Sequence, residues 1–155
     1  MGEPLSPNGF LSLLGGMSTE PVWIPVLSGS MSPTLIPGDL VLIVPGNWKK
    51  CAVGDIIVFR EGHSLTSHRL IGKIRFPGKA FFFQQADGMN HGGFIPVESV
   101  IGTCATMRRH NTETTLLDRK INKALANRSR MRMILFLVRS IKKWMVSKAP
   151  TSPSR

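Results

Sequence analysis

Ser30, His68 and Asp87 are the residues whose types could divide the work of nucleophilic catalysis in this chain. A serine hydroxyl attacks a carbonyl when a base takes its proton, and the base works when a third group orients it. Any chain with several Ser and Asp and four His offers many such sets, so the context of each member decides. Ser30 stands in "SGSMSPTLIPGDLVLIVP" (28–45), where small polar and turn-forming residues run into an unbroken apolar strand. His68 stands in "SHRLIG", inside the returning strand of a hairpin, and Asp87 in "FQQADGMN". The three fall on different strand edges, where loops bring distant residues together on a stiff scaffold.

The elements that must position them read as β-structure. "PVWIPVL", "DLVLIVP", "DIIVFR", "SHRLIGKIRF", "AFFFQQ" and "SVIGTCATM" are rich in β-branched and aromatic residues and bounded by Gly, Pro, Asp or Asn. With 155 residues, 42% apolar content, 15 Gly and 11 Pro, the chain suits one mostly β domain, a small partly open barrel or sandwich. Gly38-Asp39 and Gly54-Asp55 read as turns, with Gly supplying positive φ and Asp capping the local backbone. "REGHSLTSHR" reads as a hairpin that puts His63 at a solvated tip, and His91 reads as filling a glycine-rich loop.

The period changes after Met107. Leu117, Ile121, Leu125, Ile134, Val138, Ile141 and Met145 recur at steps of three and four, while Lys120, Lys123, Arg130, Arg139 and Lys143 fall opposite, as in an amphipathic helix. The division expected is an N-terminal arm over 1–20, a catalytic β domain over 21–110, a basic helical tail over 111–147 and a disordered end over 148–155.

Charge divides along the same line. Residues 1–107 balance seven basic side chains with seven acidic ones, whereas 108–155 carry 13 Lys and Arg against Glu113 and Asp118, which is the whole net charge of +11. Such a block meets an anionic surface. The compact apolar stripe and Trp144 favour lipid, with contact over 119–146. Nucleic acid is disfavoured because no stacking platform accompanies the charge. The bland alternative is a helix packed on the β domain with a charged back.

Cys51 and Cys104 form no zinc-like grouping with the four His, so no metal and no cofactor is expected. No run reaches the 18 or so apolar residues needed to span a bilayer, and "FLSLLGGM" (10–17) lacks the basic flank of a secretory signal. A peripheral membrane or cytoplasmic location is therefore expected.

Taken together, "SGSMSPT", "SHRLIG" and "FQQADGMN" resemble the signal peptidase I family over about Pro21 to Met107. The match looks like the Ser-His branch of archaeal, endoplasmic-reticulum and some bacterial members, with His68 where the larger bacterial branch has a lysine. The resemblance implies a serine endopeptidase that cleaves precursor polypeptides after a small-x-small motif. It makes Ser30 the acylating nucleophile, His68 the general base and Asp87 the group holding the His68 tautomer. Ser28 would join the backbone N–H of Ser30 in the oxyanion hole. An extended substrate would lie along a groove formed by Val22, Ile24, Val26, Met31, Leu40 and Leu42.

The departures from the family pattern are the absent N-terminal anchor, Ala86-Asp87 in place of Gly-Asp, and "GMNHGG" where a further acidic residue is expected. The related self-cleaving repressors would need a lysine base. Lys73, five residues past His68 on a period-two strand, is expected to face the other way. The alternative from another class is a non-catalytic β domain that binds peptides or anionic membrane through its tail.

Overall fold

The computed structural model describes residues 19–62, 64–90 and 92–147, with side chains as far as Leu135. The expected arm up to residue 18, the tail end from 148, and His63 and His91 lie outside the described residues. The chain is mostly β, as expected, and its sheet curls into a half barrel followed by one helix.

The strands are β1 (Val22–Pro25), β2 (Leu40–Pro45), β3 (Ile56–Glu61), β4 (Ser64–Phe76), β5 (Lys79–Gln85), β6 (Gly92–Pro96), β7 (Val100–Arg109) and β8 (Thr112–Thr115). They pair antiparallel in the order β1-β2-β7-β3-β4-β5-β6, with β8 added to β7. The β3–β4 hairpin sets Ile57 opposite His68 and Val58 opposite Ser67. Alternation then sorts side chains to two faces. Ile56 and Val58 join Met31, Leu35, Val41, Ile43 and Cys104 in one core cluster, and Ile57 and Phe59 join Cys51, Leu70, Phe82 and Val97 in the other.

Both Gly-Asp turns form as the residue types require. Gly38 and Gly54 have φ of 95° and 104°. Asp39 Oδ2 accepts from Ile36 N at 2.8 Å and Asp55 Oδ2 from Ala52 N at 2.7 Å. Arg109 also clamps Asp39, with Nε and Nη2 each 2.7 Å from a carboxylate oxygen, and this holds the acid below the usual carboxylate range.

Two strands were not expected. Gly92 and Gly93 read as the end of a glycine-rich loop (88–93) but open β6, where they lie against Gln85 and Gln84 of β5. Thr112–Thr115 read as the start of the helical tail but pairs with Met107 and its neighbours as β8. Its turn is His110-Asn111, both at positive φ (47° and 68°), the backbone of a two-residue hairpin without its customary glycine.

The helix, α1 (Arg119–Ser147), begins where Asp118 Oδ1 accepts from Lys120 N (2.9 Å) and Ile121 N (3.0 Å), capping the first turn. Its inward face corrects the expected apolar stripe. Asn122, Ala126 and Ser129, small or polar and spaced by four and three, are the buried positions, whereas Ile121 and Ile134 are 59% and 50% exposed. Small residues let the helix approach the backbone of the Gly54 turn. A Cβ built on Gly54 would lie 2.5 Å from the carbonyl carbon of Asn122. Arg130 secures the next turn by donating from Nε to Ile71 O at 2.8 Å. Among the described residues no helix is long and apolar enough to cross a membrane.

Candidate active site

Ser30 lies in the turn-rich stretch between β1 and β2, where Ser32 N bonds Gly29 O (3.0 Å) and Leu35 N bonds Met31 O (3.0 Å). Burial of Met31 and Leu35 in the core cluster anchors the loop, because each exposes at most 1% of its surface. From the other side Gly88 N donates to Ser30 O at 2.9 Å, and a Cβ on Gly88 would stand 3.1 Å from that oxygen. The segment carrying Asp87 thus braces the serine loop through its backbone.

Ser30 opens on a cavity of about 320 Å³. Ile24, Val26, Met31, Val41, Ile43 and Val58 provide its apolar wall, and Ser28, Ser64, Thr66 and Ser67 provide hydroxyls. Of the groove residues expected from sequence, Ile24, Val26 and Met31 line it. Leu40 and Leu42 do not, since alternation along β2 turns Val41 and Ile43 to the core and those two away. Val22 packs against the core cluster without lining the cavity. Ser28 Oγ stands 3.4 Å from Ser30 Oγ, so the two hydroxyls share the cavity mouth.

His68 is half-buried on β4, with its ring edge-on to Phe59 (centroids 5.8 Å apart) and its Nδ1 2.5 Å from Gln84 Oε1. With an amide oxygen as partner, Nδ1 carries the proton and Nε2 keeps its lone pair, the tautomer a general base requires. Burial holds its pKa below the ordinary histidine value, partly offset by the Gln84 hydrogen bond and by the charges of Glu61 and Asp87. Among the described residues no hydrogen bond joins His68 to Ser30, and His68, opposite Ile57 and against Phe59, does not line the Ser30 cavity, so the structure does not bring the two together.

Asp87 does not take the orienting position expected for it. Its carboxylate is occupied by Arg69, through Nε (2.7 Å) and Nη2 (2.5 Å), and by Thr34 Oγ1 (2.6 Å). Arg69, fully buried, is the stronger claimant because an unpaired guanidinium there would be far costlier than a neutral imidazole without a carboxylate. Arg69 Nη1 also donates to Gly54 O at 2.8 Å, and Arg132 of α1 donates to Asp87 O at 3.0 Å. The Asp87 charge is felt at His68 only through space, and it is the following residue, Gly88, that bonds Ser30 O.

Lys73 requires a second correction. A register shift between Leu70 and Gly72 resets the strand's parity, so Lys73 pairs with Phe82 and shares the face of Leu70 and His68. Its ammonium bonds Cys51 O and lies 5.5 Å from the centre of the Phe82 ring, which occupies it structurally.

Gln84, Arg69 and Thr34 were not identified from sequence as site residues. Arg69 had a legible signal: a charged residue next to His68 inside an apolar strand needs a buried acid, and "AD" supplied one.

No family model matches the chain. Over 76 residues it is 37% identical to the signal peptidase complex catalytic subunit SEC11 of Metarhizium acridum (strain CQMa 102). That stretch covers 47% of this chain and 44% of the relative, less than half of either protein. The similarity supports the resemblance to the signal peptidase I family.

Proposed function

We propose that this chain is a serine endopeptidase of the signal peptidase type, acting on precursor polypeptides. The observation carrying the reading is the pairing of Ser28 and Ser30 hydroxyls at the mouth of an apolar cavity. His68 stands on a strand that lines this cavity, and the reading requires its ring to turn toward Ser30 when substrate binds. The similarity to a signal peptidase catalytic subunit supports precursor polypeptides as the substrate class.

In this reading an extended precursor places small side chains against Ile24, Val26 and Met31. Ser30 Oγ attacks the scissile carbonyl while Nε2 of His68 accepts its proton, and the carbon–oxygen bond forms as the carbonyl becomes an oxyanion. The Ser28 hydroxyl and the Ser30 N–H stabilise that charge, which exists only in the transition state and intermediate. Collapse breaks the peptide bond as His68 returns the proton to the leaving amine. Water, deprotonated by His68, then hydrolyses the acyl-serine.

The basic helix gives the chain a peripheral contact with an anionic membrane, where precursors would be met. Nine Lys and Arg and no Asp or Glu fall within α1.

Cleavage of a preprotein with a small-x-small site, followed by mass spectrometry for wild type, Ser30→Ala and His68→Ala, tests the reading. Wild type is expected to cut after the second small residue and both variants to fall to background. Equal background from all three would leave a β domain that binds without cutting.

A further inference from the structure

A second concavity, of about 600 Å³, lies beside α1 on a part of the surface that the peptidase reading does not use. Its walls are Ile71 and Ile74 of β4, Phe83 of β5, Phe94 of β6 and Met133 and Ile134 of α1. Phe94 is 60% exposed although its ring stacks at 4.8 Å on Phe83, and Ile134 is half exposed, so apolar surface continues out of the groove onto its rim. A large aromatic on an edge strand, facing water beside an exposed isoleucine, marks a surface that another apolar body covers.

Charge identifies the body. Arg130 is the charged side chain facing the groove, since the ammonium of Lys73, which also borders it, lies at Cys51 O and over Phe82, on the other face of β5 from Phe83. Among the described lining residues there is no carboxylate. Arg130 donates to a backbone carbonyl, that of Ile71, so among the described residues its charge is neutralised by no acid there. An apolar slot bordered by the Arg130 guanidinium, on a helix carrying nine basic residues and no acidic one, complements an anionic phospholipid.

We propose that this groove is the membrane-docking face of the domain. Acyl chains of an anionic bilayer cover Phe94, Met133 and Ile134, and headgroups lie against Arg130 and the basic residues in the first turns of α1. The proposal deepens the membrane contact proposed for α1, adding the β5–β6 edge to it, and is independent of peptide cleavage. Asn90 and Gly92 border the groove, and the same connection carries Gly88, which bonds Ser30 O. Docking here would set the serine loop beside the lipid surface.

The test is co-sedimentation of the full chain with vesicles of phosphatidylcholine alone and of phosphatidylcholine with phosphatidylglycerol, for wild type, Phe94→Asn, Ile134→Asn and a helix variant with Lys120, Lys123 and Arg128 changed to Gln. Phe94 and Ile134 are exposed, so their variants keep the fold, checked by circular dichroism. Wild type is expected to bind the anionic vesicles, and Phe94→Asn or Ile134→Asn to weaken binding about tenfold, as the loss of one inserted apolar side chain implies. Binding that the helix variant loses but Phe94→Asn and Ile134→Asn retain would overturn the groove while keeping the helix contact. No binding by wild type would overturn both. A wild-type dimer in sedimentation that Phe94→Asn dissociates would also overturn it, making a second copy the occupant.

Discussion

Gln84 Oε1 lies 2.5 Å from Nδ1 of His68, giving the imidazole an uncharged partner at the position where a carboxylate was expected. A neutral amide fixes the tautomer without stabilising the imidazolium. Gln84→Leu is therefore expected to lower kcat by about 3- to 10-fold, the worth of one ordinary hydrogen bond, with KM little changed. Gln84→Glu places a negative charge on the ring and favours its protonated form, so the acid limb of the pH–rate profile should move to higher pH. Steady-state kinetics across pH for both variants checks this. An unmoved limb in Gln84→Glu would remove the orienting role.

His68 itself titrates below the ordinary histidine value because burial penalises its charged form. If His68 is the base proposed above, cleavage is expected to persist below pH 6.5. The folded state binds this proton less readily than the unfolded chain, so its contribution to stability is present above the unfolded pKa of about 6.5 and is lost as pH falls toward the folded pKa. An NMR titration of the His68 ring should give a midpoint below that of a histidine peptide under the same conditions. A midpoint above it would contradict the desolvation account.

The Arg69–Asp87 pair predicts a structural consequence in addition to a kinetic one. Arg69 has no exposed surface, so Asp87→Ala leaves a buried guanidinium without its carboxylate, and urea denaturation should show a loss of about 3–5 kcal/mol. Replacing both residues, as in Arg69→Met with Asp87→Ala, should recover part of that loss because no lone charge remains. Additive losses would mean that the pair contributes through its separate contacts rather than as a unit.

Cys51 and Cys104 are both free and buried. Burial pushes their thiols up to about 11 and about 12, so neither supplies thiolate at neutral pH. Native protein should react with an aromatic disulfide reagent at pH 7 far more slowly than unfolded protein, with two thiols counted after denaturation. Rapid native labelling would show that Cys104, which lines the serine cavity, is open to solvent.

The strand that carries His68 and the strands that flank Ser30 and precede Asp87 were legible because β-branched and aromatic runs between turn residues are local signals. The Gly-Asp turns were legible for the same reason. What escaped depends on pairing. Gly92–Pro96 becomes β6 only because Lys79–Gln85 offers it an edge, and Thr112–Thr115 becomes β8 only because Met107 and its neighbours do. The partners of His68 and Asp87 escaped likewise. Gln84 reaches His68 through the register of β4 with β5, and Arg69 outcompetes His68 for Asp87 because it is the costlier group to bury unpaired. In α1 Ile121 and Ile134 of the expected apolar period point outward, because the Gly54 turn admits only a small-residue face, while Val138, Ile141 and Met145 lie beyond the described side chains. Composition alone does not announce such a backbone-to-backbone fit.

That fit gives a controlled comparison between two glycines of like conformation. Gly38 and Gly54 have φ of 95° and 104°, so an alanine at either position bears backbone strain of about 1–3 kcal/mol. The surroundings differ. A Cβ at Gly38 meets nothing within 4 Å, whereas one at Gly54 would lie 2.5 Å from both the carbonyl carbon and oxygen of Asn122. Neither backbone can yield without moving α1, so Gly54→Ala should be the more destabilising substitution and should also release the helix. Release would free Arg132 from Asp87 O and relax the segment whose Gly88 holds Ser30. Hydrogen exchange is the direct measurement: amides of residues 122–130 should lose protection in Gly54→Ala and keep it in Gly38→Ala. Equal loss in the two variants would mean that backbone strain, rather than contact with the helix, sets the cost, and the helix would then have no part in bracing the serine loop.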